Sequence, residues 1–127
     1  MTIDELEGRA LAETVALALG MTKAELSVSG DAWFDVKGNM WIIADKEPGL
    51  FGLYRPDLDR DQAWKLVEKM QYDGYYLDPL RRVSSGWVAR FIHEDGEGLP
   101  WVAGFIGYGL TVPVAICRAF LVWASRS

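Results

Sequence analysis

The stretch Leu110-Thr-Val-Pro-Val-Ala-Ile-Cys-Arg-Ala-Phe-Leu-Val-Trp-Ala124 limits what this chain can fold into more than any other. From Val114 onward nearly every residue is apolar, and Arg118 is the only charge before Arg126. Pro113 suits the first turn of a helix, with Thr111 or Val112 as its cap. A helix apolar on almost all sides must lie inside a core, with other elements packed around it. The run from Trp101 to Ala124 is also long enough to span a bilayer. Gly104, Gly107, Gly109 and Pro113 interrupt it, however. A strand followed by a buried helix accounts for the same pattern, so no membrane segment is expected.

The layers around that helix come from a chain of 127 residues, the size of one domain. Half the residues are hydrophobic and six are Trp, which excludes a disordered chain. The net charge of −5 is spread rather than clustered, and no basic face is visible. Nucleic acid is therefore not expected as a partner. One cysteine, Cys117, cannot form an internal disulfide and reads as a small buried hydrophobe. The N-terminus is acidic where a signal peptide would be basic, so a cytoplasmic location is expected.

In chain order, apolar spacing predicts a helix from Ile3 to Leu19, with Thr2 and Glu5 as a capping box and Gly20 as its stop. The polar segment from Thr22 to Gly30 carries at most a short turn of helix. Ala32 to Val36 and Met40 to Ala44 flank Lys37-Gly38-Asn39 as a hairpin. A second helix runs from Arg60 to Tyr72, capped by Asp59 and ended by Gly74. Three strands follow, at Tyr75 to Val83, Gly86 to His93 and Leu99 to Gly107, before the C-terminal helix. The order predicts an α+β protein in which an antiparallel sheet carries helices.

Three segments resemble the phage ABA sandwich domain family, small proteins of phages and prophages. They are Gly8 to Gly20, Asp59 to Met70 and Val114 to Leu121, with Ala115-Ile-Cys-Arg-Ala119 the most specific part. The resemblance covers residues 3–20 and 54–124, and Glu25 to Phe51 departs from the pattern. It implies a three-layer α/β/α-type sandwich with an antiparallel sheet, three main helices and a phage or prophage origin. It brings no catalytic residues with it.

Few residues suggest chemistry. Asp57, Asp59, Asp61 and Glu68 stand at positions 1, 3, 5 and 12 of an EF-hand count, the sharpest metal signal in the chain. Gln62, however, occupies the place where that loop needs Gly. Acids crowding a helix N-terminus explain the same residues without a metal. Gly104-Phe-Ile-Gly-Tyr-Gly109 lies between a strand and a helix, where a phosphate loop would sit, but runs in the reverse of the dinucleotide pattern. Its glycines read instead as a close crossing of strand and helix. His93 is the only histidine and lacks the companions of a metal site or triad. Arg118 should reach the helix edge or meet a carboxylate.

No cofactor is expected. The run Met40 to Ala44 is apolar on both faces, with Trp41 and Ile43 on one and Met40 and Ile42 on the other. We expect Trp41 and Ile43 to meet another chain, most simply a second copy. The resulting reading is a phage accessory protein that works by binding protein; the alternative is a small acid-dependent or metal-dependent enzyme.

Overall fold

The computed structural model describes residues 2–24, 32–45, 52–93 and 104–126. It is an α+β protein. A short 3-10 turn (Ile3–Glu5) precedes α1 (Gly8–Ala18), and three short strands follow: β1 (Thr22–Lys23), β2 (Ala32–Phe34) and β3 (Met40–Ile42). Next come α2 (Arg60–Tyr72), the meander β4 (Tyr75–Val83), β5 (Gly86–His93) and β6 (Phe105–Gly109), and finally α3 (Val112–Ala124). Two antiparallel sheets result, ordered β1-β2-β3 and β4-β5-β6.

The C-terminal helix is the centre of the structure. Seven of its residues are buried, from Pro113 to Leu121. Ala115, Ile116, Cys117, Ala119, Phe120 and Leu121 join one cluster with Leu11 and Val15 of α1, four residues of α2, and Ala89 and Phe91 of β5. Strand alternation turns Tyr75, Leu77, Ala89, Phe91 and Phe105 toward this cluster. The sheet comes close enough because two positions of β6 have no side chain. A Cβ on Gly107 would lie 2.2 Å from the Ala119 nitrogen and 2.5 Å from the Ala115 oxygen, and one on Gly109 would lie 2.6 Å from the Ala115 nitrogen.

Local signals set most boundaries. The Asp59 carboxylate accepts hydrogen bonds from the Asp61 and Gln62 amides, and Thr111 Oγ1 accepts one from the Val114 amide. Gly20 (φ +83°) and Gly74 (φ +90°) turn the chain out of α1 and α2. The turn between β2 and β3 is closed by Asp35, whose Oδ1 accepts from the Lys37 and Asn39 amides at 2.9 Å. β4 shifts register between Asp78 and Arg81, an interval holding Pro79, which has no N–H for the ladder.

Three expectations need correction. The first helix is not continuous from Ile3: the backbone is extended at Leu6 and Glu7, α1 begins at Gly8, and Thr2 makes no side-chain cap. The cause is tertiary. Arg118 Nε and Nη2 donate to the Leu6 carbonyl at 3.2 and 2.8 Å, drawing it out of any helical ladder. In the segment from Thr22 to Gly30, read as a short helical turn or none, Thr22 and Lys23 form an edge strand paired with β2, and residues 25–30 lie outside the described residues. The last strand spans Phe105–Gly109, ending two residues beyond the expected Gly107; residues 99–103 lie outside the described residues.

A smaller cluster, with Ala12, Ala16, Met21, Trp33, Ile43 and Tyr54 at its centre, joins the other side of α1 to the first sheet. α1 thus serves both clusters, Leu11 and Val15 facing one and Ala12 and Ala16 the other. No helix among the described residues is long and apolar enough to cross a membrane.

The contact at Gly107 makes a direct prediction. Gly107→Ala places a methyl group against helix backbone that has no rotamer to yield. It should cost about 3 kcal/mol, the upper end for overpacking a core. Urea unfolding measures this, and a loss below about 0.5 kcal/mol would show that α3 slides freely over β6.

Candidate functional site

The four carboxylates with EF-hand spacing do separate jobs. Asp57 is buried and forms a two-pronged ion pair with Arg55, Nε to Oδ1 at 2.9 Å and Nη2 to Oδ2 at 2.8 Å. Asp59 caps α2, Asp61 is exposed in its first turn, and exposed Glu68 lies 3.7 Å from Lys65. Among the described residues no three His, Cys, Asp or Glu side chains gather closely enough to hold a metal. Cys117 is fully buried, and that burial pushes its thiol far above the usual range, so no thiolate is poised there. His93 stacks edge-on against Tyr75 with ring centres 5.0 Å apart. Among the described residues Arg118 meets no carboxylate; besides Leu6 it donates to the Tyr108 carbonyl at 2.9 Å.

Trp41 and Ile43 do not present an outward face. Ile43 has no exposed surface, and Trp41 packs on the same small cluster with its ring edge-on to Tyr54. Pleat phase decides this: Trp33, Trp41 and Ile43 all turn toward Ala12 and Ala16 of α1, leaving Met40 and Ile42 on the other side. Lys at position 43 would therefore damage the core, not an interface.

The most prominent apolar surface lies elsewhere, around Trp87 on β5. Three clefts of about 210, 340 and 500 Å³ adjoin one another and share that side chain. The first lies beside the β4–β5 turn and includes Val83, Tyr108 and Leu110. The second runs between α2 and α3, lined by Trp64, Leu80 and Val112 among others. The third reaches Leu58 and Arg60 at the start of α2. Leu58, Trp64 and Leu110 are 64%, 49% and 82% exposed, large side chains left in water at one end of the molecule. Guanidinium groups border them: Arg82 lies over the Trp87 ring at 5.7 Å, and Arg60 lines two of the clefts.

The loop before α2 is what holds Leu58 out. Arg55, anchored by Asp57, also donates from Nη1 to the Ala44 carbonyl at 3.1 Å. Gln62 of α2 reaches back, accepting from the Arg55 amide at 2.7 Å and donating to the Leu53 carbonyl at 2.7 Å. The Leu58 amide donates to the Arg55 carbonyl, completing a tight turn. Compared with known proteins, the chain matches no family model and no curated sequence.

Sequence reasoning passed over this surface, though it left a trace. Leu58 and Leu110 each stand immediately before a helix cap, the position whose apolar side chain ordinarily staples back onto the fourth helical residue. Here those fourth residues are Ala63 and Ala115, both fully buried. The two leucines remain in solvent. A large apolar residue at a staple position facing only a buried alanine is a readable sign of an outward role.

The separation of the acids is open to measurement. Asp57→Ala leaves a buried guanidinium without its carboxylate and should cost about 3–5 kcal/mol, whereas Asp59→Ala loses only a cap, about 1 kcal/mol. Calcium should leave the melting temperature of all three proteins unchanged. A calcium-dependent rise that vanishes in Asp57→Ala would show that the carboxylates act together.

Proposed function

We propose that this protein works by binding another protein, and that the apolar end around Trp87 is the binding surface. The observation carrying this reading is the contiguity of Leu58, Trp64, Trp87 and Leu110 across three adjoining clefts. Scattered apolar residues on a surface need no explanation, but a joined group with concave relief marks interaction sites. Its composition suits an interface centre as well: Trp and Arg supply most hot spots, and they sit here beside recesses that a partner's side chains can fill. The rigid supports, two capped helix ends and a tight hairpin, mean that little ordering entropy opposes association. On the resemblance to phage ABA sandwich proteins, we read the setting as the cytoplasm of a bacterium carrying a phage or prophage. The partner is a phage or host protein, or a second copy of the chain.

A photo-crosslinking amino acid at position 110 tests this in producing cells, with position 72, which is highly exposed at the far end of α2, as the control. Adducts specific to position 110 are expected, and their mass distinguishes a second copy from a different protein. Leu110→Glu and Trp64→Glu should abolish complex formation by the otherwise unmodified protein in co-purification, while changing stability by no more than about 0.5 kcal/mol. Equal or absent adducts at the two positions would overturn the proposal.

A further inference from the structure

A second concavity has a different character. About 490 Å³ in volume, it lies between the β2–β3 turn and α2, and its lining includes Trp41, Tyr54, Lys37, Lys65 and Lys69. This volume falls within the range that holds small organic ligands. One wall is aromatic and fixed in place. The Trp41 indole Nε1 donates to Asp35 Oδ2 at 3.0 Å, and Tyr54 meets the ring edge-on at 5.7 Å. Gly52 lies behind the ring, where an added Cβ would come within 3.2 Å of Cζ3. A ring held at its nitrogen, its edge and its back is a preformed surface for a planar group.

The opposite rim is cationic. Lys37 comes from the hairpin turn, and Lys65 and Lys69 from successive turns of α2, so two separate elements place three lysine side chains in the lining of one cleft. The single acid of the lining, Asp35, is already committed: it accepts from the Lys37 and Asn39 amides, the Asn39 side chain and the Trp41 indole. Lys65 is exposed and lies 3.7 Å from Glu68, whereas Lys69 is half-buried, 3.1 Å from Asp73 and 5.5 Å over the Trp123 ring. An exposed pair holds its partner weakly, so the Lys65 ammonium can be redirected to a ligand, while Lys69 adds its charge to the rim from its place between Asp73 and Trp123. The surrounding chain carries a net charge of −5, which makes this rim a local reversal of sign.

We infer that this cleft binds a small planar anion, an aromatic ring against Trp41 with its phosphate or carboxylate between Lys37 and the lysines of α2. A nucleoside monophosphate and a simple aromatic carboxylate share this chemistry. Neither the apolar surface around Trp87 nor its partner is needed for the binding.

The test is a titration of the full chain followed by amide and indole N–H resonances, with the Trp41 indole signal identified by its loss in Trp41→Phe. The probes are adenosine monophosphate and 2-naphthoate, with adenosine and inorganic phosphate as controls lacking either the charge or the ring. Saturable shifts of the Trp41 indole and of the 37–39 amides are expected with at least one of the two anions. The two controls should bind at least about tenfold more weakly, because adenosine loses hydrogen bonds to a charged group and phosphate loses the stacking of a ring, each worth that much or more. Whichever anion binds distinguishes a nucleotide site from an aromatic-acid site. Lys37→Gln and Lys65→Gln, both at exposed positions, should weaken binding by a similar factor without altering the melting curve. The inference is overturned if neither anion shifts those signals, if adenosine or phosphate binds as well as the anions, or if binding survives loss of the lysines.

Discussion

The backbone of β6 lies directly on the backbone of α3, and the rest of the structure depends on that approach. A helix apolar on nearly all sides has to be enclosed, yet each side chain placed between it and a sheet pushes the two apart. Gly107 and Gly109 remove that spacer on the strand, and Ala89, Ala115 and Ala119 keep its surroundings thin. Bulk is moved to the flanks, where Phe91, Phe120 and Ile116 fill the space around the narrow contact. Close packing of this kind tolerates neither extra volume nor voids. The same glycines that resemble a phosphate loop in the sequence are thus explained by distance alone.

The one charge in that helix has a matching role. A guanidinium presents five donors in a rigid fork and is costly to bury without acceptors. Arg118 satisfies it with two backbone carbonyls from opposite ends of the chain, Leu6 and Tyr108. The N-terminal segment is thereby fastened to the last strand, and the first helix is shortened to achieve it. The extended residues Leu6 and Glu7 are the local cost of a long-range link.

Features encoded within a few residues were legible in the sequence. The caps at Asp59 and Thr111, the stops at Gly20 and Gly74 and the turn at Lys37 to Asn39 each depend on neighbours in the chain. The α+β order followed from them. Features that depend on distant partners were not legible. The break at Leu6 needs Arg118, more than a hundred residues away. The phase of β3 follows from which face finds the alanines of α1, and an apolar run with bulk on both faces does not reveal that choice. Asp57 illustrates the same limit at short range. Its spacing from Asp59 and Asp61 suggested a metal loop, while its actual partner is Arg55, two residues before it. The surface around Trp87 combines residues from five elements, α2, β4, β5, β6 and α3, and no single stretch of sequence contains it.

The Arg55–Asp57 pair merits a reading beyond stability. Replacing a buried ion pair with well-packed apolar residues is often neutral or favourable, so its retention is poorly explained by folding energy. Its geometry offers another reason. Two parallel hydrogen bonds fix both the position and the plane of a guanidinium, which a hydrophobic contact cannot do. That guanidinium holds the Ala44 carbonyl, its own backbone amide is gripped by Gln62, and the loop between is pinned to α2. On one side of the fixed loop Tyr54 lines the cleft beside Trp41; on the other Leu58 lines the cleft beside Trp87. Without the fork the loop could rotate and both walls would lose their definition together. The ion pair's contribution is orientation, and it serves two recesses that share no lining residue.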